Sequence, residues 1–274
     1  MPQHDVLTIG SGTECEEEQH LINTVGLKKQ YAGSNDDRID VLDGISLNIK
    51  SGQVICVIGP SGCGKSTLLR LIAGIEKPDC GDIFFHFGNG NKLPPISMVL
   101  QTPALLPWRN VRDNIMLGLE LLGKTDNFVA AENYVQLMGL NGFSTFLPKD
   151  ISGGMKARVS IGRALIAASK LVLFDEAFTE LDEVTRQSIN DIFCQHIEQK
   201  NLAAVVVSHD IAEAVYLADE VIVLTNRPAT ISKTFTIHLP RPRRSSIRLS
   251  TEFINVVKPI REFITKSWNQ GDAA

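Results

Sequence analysis

The sequence predicts an α/β fold in which helices cover both faces of a mainly parallel β-sheet. Short apolar segments of strand length, at residues 53–58, 171–174 and 204–208, alternate along the chain with stretches of helical pattern. Strands that alternate with helices in this way form parallel sheets buried on both faces. A mostly helical pattern over residues 101–169 separates two strand-rich parts. We therefore expect a helical subdomain inserted into the α/β core, at about residues 102–168.

The first part of the predicted fold is a series of strands around one helix. Residues 45–49 (ISLNI) alternate apolar and polar side chains, a Lys-Ser-Gly turn follows, and residues 53–58 form a more apolar strand. This strand leads into a glycine-rich loop, and a helix is expected over residues 66–73 with Gly74 at its C-terminal cap. Further strands are expected at residues 82–86, 96–100 and 221–225.

Composition places the chain among soluble globular proteins. Its 274 residues are 43% hydrophobic and 21% charged, and the formal net charge of −4 gives no general argument for nucleic-acid binding. The five cysteines are widely spaced and include no C-x-x-C pair, which favours reduced thiols in a cytosol over a disulfide framework or a zinc site. No segment approaches the ~20 apolar residues that a transmembrane helix requires. We therefore expect any membrane attachment to occur through a partner.

Both ends of the chain differ from the predicted domain of residues 21–235. Residues 1–20 lack the basic start and apolar core of a signal peptide, and we expect a loosely ordered extension there. Residues 236–274 contain the basic stretch PRPRRSSIR and then apolar residues at helical spacing, with Pro259 expected to kink the helix. We interpret this tail as a solvated basic linker and a helix packed on the body. Docking near anionic lipid headgroups is the alternative.

The most specific motif is GPSGCGKST, which matches G-x-x-x-x-G-K-[ST] directly after a predicted strand and before a predicted helix. Its glycines allow backbone N–H groups to converge on phosphate oxygens, and the helix N-terminus adds a partial positive charge. Lys65 is expected to reach the β- and γ-phosphates, and the Ser66 hydroxyl to ligate Mg²⁺. The predicted nucleotide-binding residues of this loop are Gly59, Pro60, Ser61, Gly62, Cys63, Gly64, Lys65, Ser66 and Thr67.

Other candidate residues directly follow predicted strands, at the edge of the sheet where open α/β folds bind ligands. In LVLFDE, Asp175 is expected to hold Mg²⁺ and Glu176 to polarise an attacking water. Capping of the next helix is the structural alternative for these acids. His209 follows AAVVVS, where we expect it to contact the γ-phosphate, and Gln101 follows the strand at residues 96–100.

The segment ISGGMK predicts a second phosphate-binding element. Ser152 can cap a helix that begins near Met155, and Gly153 and Gly154 leave backbone N–H groups accessible to an anion. Taken alone, the segment is explained as an N-cap. Its position between the glycine-rich loop and Asp175 favours a site for a nucleotide that is held by a second copy of the chain.

Over residues 21–225 these motifs together resemble the ATPase subunits of ATP-binding cassette (ABC) transporters. GPSGCGKST resembles the Walker A loop, VLQTPALLPW the Q-loop region, ISGGMKARVSIGRAL the ABC signature, LVLFDEAFTELD Walker B with the D-loop, and SHDIAEAVYLADEVIVL the switch-histidine segment. The resemblance implies a P-loop NTPase fold with an N-terminal antiparallel β part and an inserted helical subdomain. It implies ATP hydrolysis with Mg²⁺ as cofactor, and it places Tyr31 against the adenine ring, Gln101 at the metal and Asp182 in the D-loop at the nucleotide.

The resemblance also implies partners. Two subunits, expected to be identical, are expected to close head to tail, so that each ATP lies between one Walker A loop and Ser152 of the other subunit. Closure is expected to drive an integral membrane permease, contacted through residues 103–115, at the cytoplasmic face of a bacterial inner membrane. A periplasmic or extracellular substrate-binding protein is expected to take part indirectly, and no nucleic acid is expected.

Within the family, the chain is most similar to importers of nitrate, sulfonates and taurine. ALLPWRNVRDNI, SGGM in place of SGGQ, DIAEAVYLADEVIVL and the late Arg-Pro elements carry this similarity. We therefore expect an importer of a small anion or sulfonate. Two alternatives stay open: a soluble cassette of the cluster-assembly type, which would not co-purify with a membrane protein, and a P-loop small-molecule kinase, which would phosphorylate a metabolite.

The chain departs from the usual residues of this family near Walker B. Ala177 replaces proline, Thr179 and Glu180 replace small residues, and the signature has Ile151 and Ala157 in place of leucine and glutamine. None of these changes removes a group that binds phosphate or metal or that activates water, so we expect an active ATPase. Glu180 adds a charge near the expected dimer interface.

Overall fold

The computed structural model describes residues 20–33, 37–86, 96–124, 127–167 and 169–271. The predicted N-terminal extension, residues 1–20, lies outside this description except for His20, with which the first strand begins. In chain order, the elements are β1 (His20–Ala32), β2 (Arg38–Lys50), β3 (Val54–Ile58), α1 (Lys65–Ile72), β4 (Cys80–Phe85), β5 (Ile96–Val99), α2 (Val111–Glu120), α3 (Phe128–Leu137), α4 (Gly153–Ile166), β6 (Leu171–Asp175), α5 (Glu183–Lys200), β7 (Ala203–Val207), α6 (Ile211–Leu217), β8 (Glu220–Leu224), β9 (Ile231–Thr236) and α7 (Thr251–Gly271).

The central sheet has six strands in the order β5-β6-β7-β3-β8-β9. Neighbouring strands from β5 to β8 pair in parallel, and β9 pairs antiparallel with β8. Side chains of β3 enter two hydrophobic clusters alternately: Cys56 and Ile58 belong to one cluster, and Ile55 and Val57 to the other. The predicted sheet, mainly parallel and covered on both faces, is therefore confirmed.

A second sheet, with strand order β2-β1-β4, is antiparallel. Its two longest strands have 13 residues each, whereas the sequence predicted only residues 45–49 of β2. The pairing of β1 with β2 shifts register at several places, including between Thr24 and Leu27. Each shift moves the inward-facing positions by one residue and breaks the period of two on which strand prediction depends.

Helices α2, α3 and α4 form the helical part of the fold, inserted between β5 and β6. A Cβ atom on Gly118 of α2 would overlap the carbonyl oxygen of Arg163 in α4, so glycine permits these helices to approach closely. Asn110 caps α2 by accepting a hydrogen bond from the backbone N–H of Asp113 at 2.8 Å. Within the described residues, no helix combines the length and apolar character required to cross a membrane.

The C-terminal tail differs from the predicted solvated linker. Arg243 is only 3% exposed, and its Nη1 donates to the carbonyl oxygens of Tyr216 at 2.9 Å and Ala218 at 2.6 Å. Arg241 donates to the Asp219 carboxylate at 2.8 Å. The last carbonyls of a helix lack partners within the helix, and here Arg243 provides them at the end of α6. The prediction of a solvated linker is thus wrong for both arginines.

The final helix packs on the body as the apolar spacing predicts. Phe253, Val257, Ile260 and Ile264 of α7 are buried in the larger hydrophobic cluster. Pro259 lies inside the helix, on the turn between two of these buried residues. The basic linker and this helix therefore both lie against the α/β core.

Candidate functional site

The candidate residues follow the C-terminal ends of four neighbouring strands of the central sheet. β5, β6, β7 and β3 are successive neighbours in the sheet. Their C-terminal ends lead to Gln101, Glu176, His209 and the loop that begins at Gly59. Because these strands are parallel, the four ends lie on the same edge of the sheet, where α/β folds bind ligands.

The glycine-rich loop connects β3 directly to α1 and is closed by its own lysine. Lys65 is buried, and its Nζ donates to the carbonyl oxygens of Gly59 and Pro60, both at 2.9 Å. Gly64 has a φ of 120°, and a Cβ atom there would lie 2.8 Å from a side-chain carbon of Val41. The loop is therefore a tight turn that places the first unpaired N–H groups of α1 and one ammonium group together, which suits an anion.

A pair of oxygen ligands lies beside this loop. Ser66 Oγ donates to Asp175 Oδ1 at 2.9 Å, and Asp175 is only 5% exposed. Burial raises the pKa of Asp175, the Ser66 hydrogen bond opposes that rise, and the nearby charge of Glu176 adds to it. A cation between these oxygens would favour the ionised carboxylate.

The hydroxyl and carboxylate fit Mg²⁺ rather than a metal that proteins enclose with several ligands of their own. Mg²⁺ prefers oxygen ligands and is commonly held by one or two protein groups together with substrate phosphates and water. In the part of the chain that the structure describes, no group of three or more His, Cys, Asp or Glu side chains could hold a metal ion. The Ser66 hydroxyl and the Asp175 carboxylate thus fit a Mg²⁺ site whose remaining ligands would be phosphate oxygens and water.

Glu176 has a strained backbone directly after β6. Its φ of 49° lies in the left-handed region, which is unfavourable for a residue other than glycine and is concentrated at functional sites. The backbone N–H of Glu176 donates to the carbonyl oxygen of Val207 at 3.1 Å. Gln101 Nε2 donates to Glu176 Oε2 at 3.3 Å. The structure therefore brings together two residues that are 75 positions apart in the sequence.

His209 is exposed and lies in the loop that follows β7. The buried carboxylate of Glu213 stabilises this loop. Ser208 Oγ donates to Glu213 Oε2 at 2.7 Å and accepts from the N–H of Asp210 at 3.1 Å. Asn190 Nδ2 donates to the other carboxylate oxygen of Glu213 at 3.1 Å. Glu213 was not predicted from the sequence, although its position on the face of α6 that also carries Ala214 and Leu217 is a detectable signal. Asp210 caps α6 by accepting hydrogen bonds from the backbone N–H groups of Ala212 and Glu213.

Ser152 is the N-cap of α4, and its Oγ accepts a hydrogen bond from the N–H of Met155 at 3.3 Å. The helix begins at Gly153, two residues earlier than predicted. Met155 lies in the first turn of α4. Ser152 and Gly153 are exposed. Asp182 caps α5 through the N–H of Thr185 at 3.0 Å.

Tyr31 lies in β1 with its ring partly buried. Its hydroxyl donates to Glu76 Oε2, and Lys29 Nζ lies 5.5 Å from the centre of the ring. Burial, and next the hydrogen bond to Glu76, raise the pKa of Tyr31, whereas a hydrogen bond with Thr67 opposes the rise. The contact with Thr67 places Tyr31 beside α1.

A family model described as ABC transporter matches residues 42–179, which is about half of the chain and includes the glycine-rich loop, Gln101, Ser152 and Glu176. The chain belongs to the ABC transporter family of ATPase domains. Its relatives include the nitrate import ATP-binding protein NrtD of Synechocystis sp., which is 39% identical over 220 residues, covering 78% of this chain and 81% of NrtD. The bicarbonate transport ATP-binding protein CmpC of Synechococcus elongatus is 39% identical over 227 residues, covering 80% of this chain and 34% of CmpC.

Solved structures show the same architecture. The ATP-binding cassette MJ0796, in a dimeric post-hydrolysis state bound to ADP and Pi, superposes on this ABC ATPase with a TM-score of 0.71 and 26% identity. The match covers 80% of this chain and the whole of that chain. The fold class that the sequence predicts for this ABC ATPase is confirmed by this likeness.

Proposed function

We propose that this ABC ATPase binds ATP with Mg²⁺ at the described sheet edge and hydrolyses it to drive the import of a small anion. The observation that carries the catalytic part is the convergence of Lys65, the Ser66–Asp175 pair and Glu176 at one end of the parallel strands. Phosphoryl transfer is catalysed mainly by positioning and by electrostatic stabilisation. These are the groups that such a reaction requires.

In the proposed site, residues 59–67 cradle the phosphates and Lys65 gives up its bonds to the carbonyls of Gly59 and Pro60 to contact them. Ser66, Asp175 and Gln101 would hold Mg²⁺, which would neutralise phosphate charge when bound. Glu176 orients the attacking water and accepts its proton. Gln101 supports this role because its amide already contacts Glu176 Oε2. His209, at the exposed end of β7, contacts the γ-phosphate.

A second subunit completes the site in this proposal. Gly153 and Gly154 expose the N-terminus of α4, a structure that attracts anions. The hydrogen bonds of Ser152 go to its own helix, so its segment can face a nucleotide held by another chain. The dimeric state of the MJ0796 cassette supports this arrangement. Asp182 lies in the same interface.

The transport proposal rests on the similarity to NrtD and CmpC, whose names state nitrate and bicarbonate transport. We assign residues 21–235 to the ATPase domain, with its helical subdomain at about 102–168, and residues 236–274 to the linker and terminal helix. The domain contacts a permease at the cytoplasmic face of the membrane through residues 103–115. A substrate-binding protein delivers the anion, and nitrate, bicarbonate and sulfonates such as taurine are the candidate substrates.

Proteoliposomes test the transport proposal. The ATPase is reconstituted with its cognate permease and binding protein, and uptake of labelled nitrate, bicarbonate and taurine is measured. We expect ATP-dependent uptake of one anion and stimulation of phosphate release by its binding protein. An active ATPase that does not co-purify with the permease would instead favour a soluble cassette. Formation of a phosphorylated metabolite would favour a kinase.

The proposed stacking of Tyr31 on adenine gives a second expected outcome. Tyr31→Ala is expected to weaken ATP binding by about 2–12-fold, because aromatic stacking contributes about 0.5–1.5 kcal/mol. Tyr31→Phe removes the bond to Glu76 but keeps the ring, and it is the matched control with nearly unchanged affinity. Calorimetric titration of both variants measures the difference. Equal losses in the two variants would show that the hydroxyl, and not the ring, matters.

A further inference from the structure

Glu180 lies against the exposed N-terminus of α4. A Cβ atom built on Gly153 would be 3.5 Å from Glu180 Oε2, and one built on Gly154 would be 3.2 Å from the carbonyl oxygen of Glu180. Glu180 itself is exposed. The Glu180 carboxylate therefore lies beside Gly153, and its backbone carbonyl lies beside Gly154, where, in the proposed dimer, the phosphate of the other subunit's ATP would approach.

The backbone on both sides holds Glu180 in this place. Leu181 is 5% exposed, and its N–H donates to the carbonyl oxygen of Phe178 at 3.2 Å. Asp182 is fixed as the cap of α5. On the other side, the N–H of Thr179 donates to the carbonyl oxygen of Glu176 at 3.2 Å. The chain between the proposed water-activating residue and α5 is thus a series of anchored turns from which the Glu180 side chain reaches α4.

We propose that Glu180 lowers the affinity of the ATP-bound dimer, so that closure requires more ATP or the assembled permease. This inference rests on the proposed ATP-bound dimer. The N-terminus of a helix favours an anion because of its unpaired N–H groups, and the Glu180 carboxylate lies beside Gly153, the first residue of α4. An approaching γ-phosphate meets a like charge there and gains less from the helix. A symmetric dimer contains two such sites, so each substitution at Glu180 changes the free energy of dimerisation twice.

Dimerisation of hydrolysis-deficient protein tests the inference. The dimer dissociation constant with saturating ATP is measured by analytical ultracentrifugation for Glu176→Gln alone and combined with Glu180→Gln, Glu180→Ala or Glu180→Asp. We expect an about four- to 25-fold lower dissociation constant with Gln or Ala, because each exposed charge at a helix end changes affinity about two- to fivefold and the factors for the two removed charges multiply. Glu180→Asp keeps the charge and is expected to remain weak.

Glu252→Gln, combined with Glu176→Gln, is the control for net charge, because Glu252 is an exposed acid in the first turn of α7. We expect no change from it, and we expect the gain from Glu180→Gln to shrink at high salt, which screens exposed charges. Equal or higher dissociation constants for Glu180→Gln would overturn the inference while leaving the proposed dimer intact. A complete lack of ATP-dependent dimer in every variant would overturn the proposed dimer itself.

Discussion

Replacement of Glu176 by glutamine is expected to lower ATP hydrolysis by about 10²–10⁴-fold, which is the usual contribution of a positioned general base. The amide cannot accept the proton of an attacking water at pH 7. The groups proposed to bind the phosphates and Mg²⁺, Lys65 and the Ser66–Asp175 pair, are unchanged in this variant. ATP binding is therefore expected to persist, and the protein is expected to accumulate as an ATP-bound dimer.

Phosphate release and size-exclusion chromatography with ATP measure the two parts of this prediction. Glu252→Gln makes the same chemical change on an exposed turn of α7 and is expected to leave the hydrolysis rate unchanged. Phosphate release by Glu176→Gln at the original rate would remove Glu176 from its proposed role. A loss of ATP binding would instead show that Glu176 acts in holding the nucleotide.

Replacement of Arg243 by alanine is expected to lower the free energy of unfolding by about 2–4 kcal/mol, the range for removing a buried charged donor from its acceptors. The carbonyls of Tyr216 and Ala218 would lose their partner at the end of α6. Burial lowers the pKa of Arg243, because desolvation disfavours the charged guanidinium. For a chain of this size the midpoint of thermal unfolding is expected to fall by about 5–10 °C.

Arg244 offers a matched control one position along the chain. It is exposed, and Arg244→Ala is expected to change stability by less than about 0.5 kcal/mol. Thermal unfolding followed by circular dichroism compares the two variants. Equal midpoints for Arg243→Ala and the unmodified protein would mean that water replaces the guanidinium at the helix end without cost.

The central sheet and the glycine-rich loop were predictable from local sequence signals. β3, β6 and β7 are short apolar runs, and the spacing of Gly59, Gly64 and Lys65 defines a loop whose chemistry is local. The contact between Gln101 and Glu176 was not predictable from local signals, because it joins the ends of two strands that are far apart in the sequence. Only the resemblance to a family gave Gln101 a role.

The features that the sequence analysis missed depend on long-range contacts. Strand β9 carries exposed polar and charged side chains at the edge of the sheet, so its burial pattern is weak. In the sequence, Arg243 is one of several arginines in a basic stretch. It is buried because the C-terminal end of α6 lies beside it. Glu213 lies on the buried face of α6, but its hydrogen bond from Asn190, 23 residues earlier in the chain, depends on the packing of α5 against α6.

Asp219, whose two carboxylate oxygens both accept from Arg241 of the tail, also accepts a hydrogen bond from the N–H of Val54 at 2.8 Å through Oδ2. Val54 is the first residue of β3, the strand that leads into the phosphate loop. One carboxylate thus ties the end of the polypeptide to the root of its catalytic loop. Because Asp219 links the tail to β3, we expect the tail and the glycine-rich loop to unfold together, so that removal of the C-terminal segment would also loosen the loop.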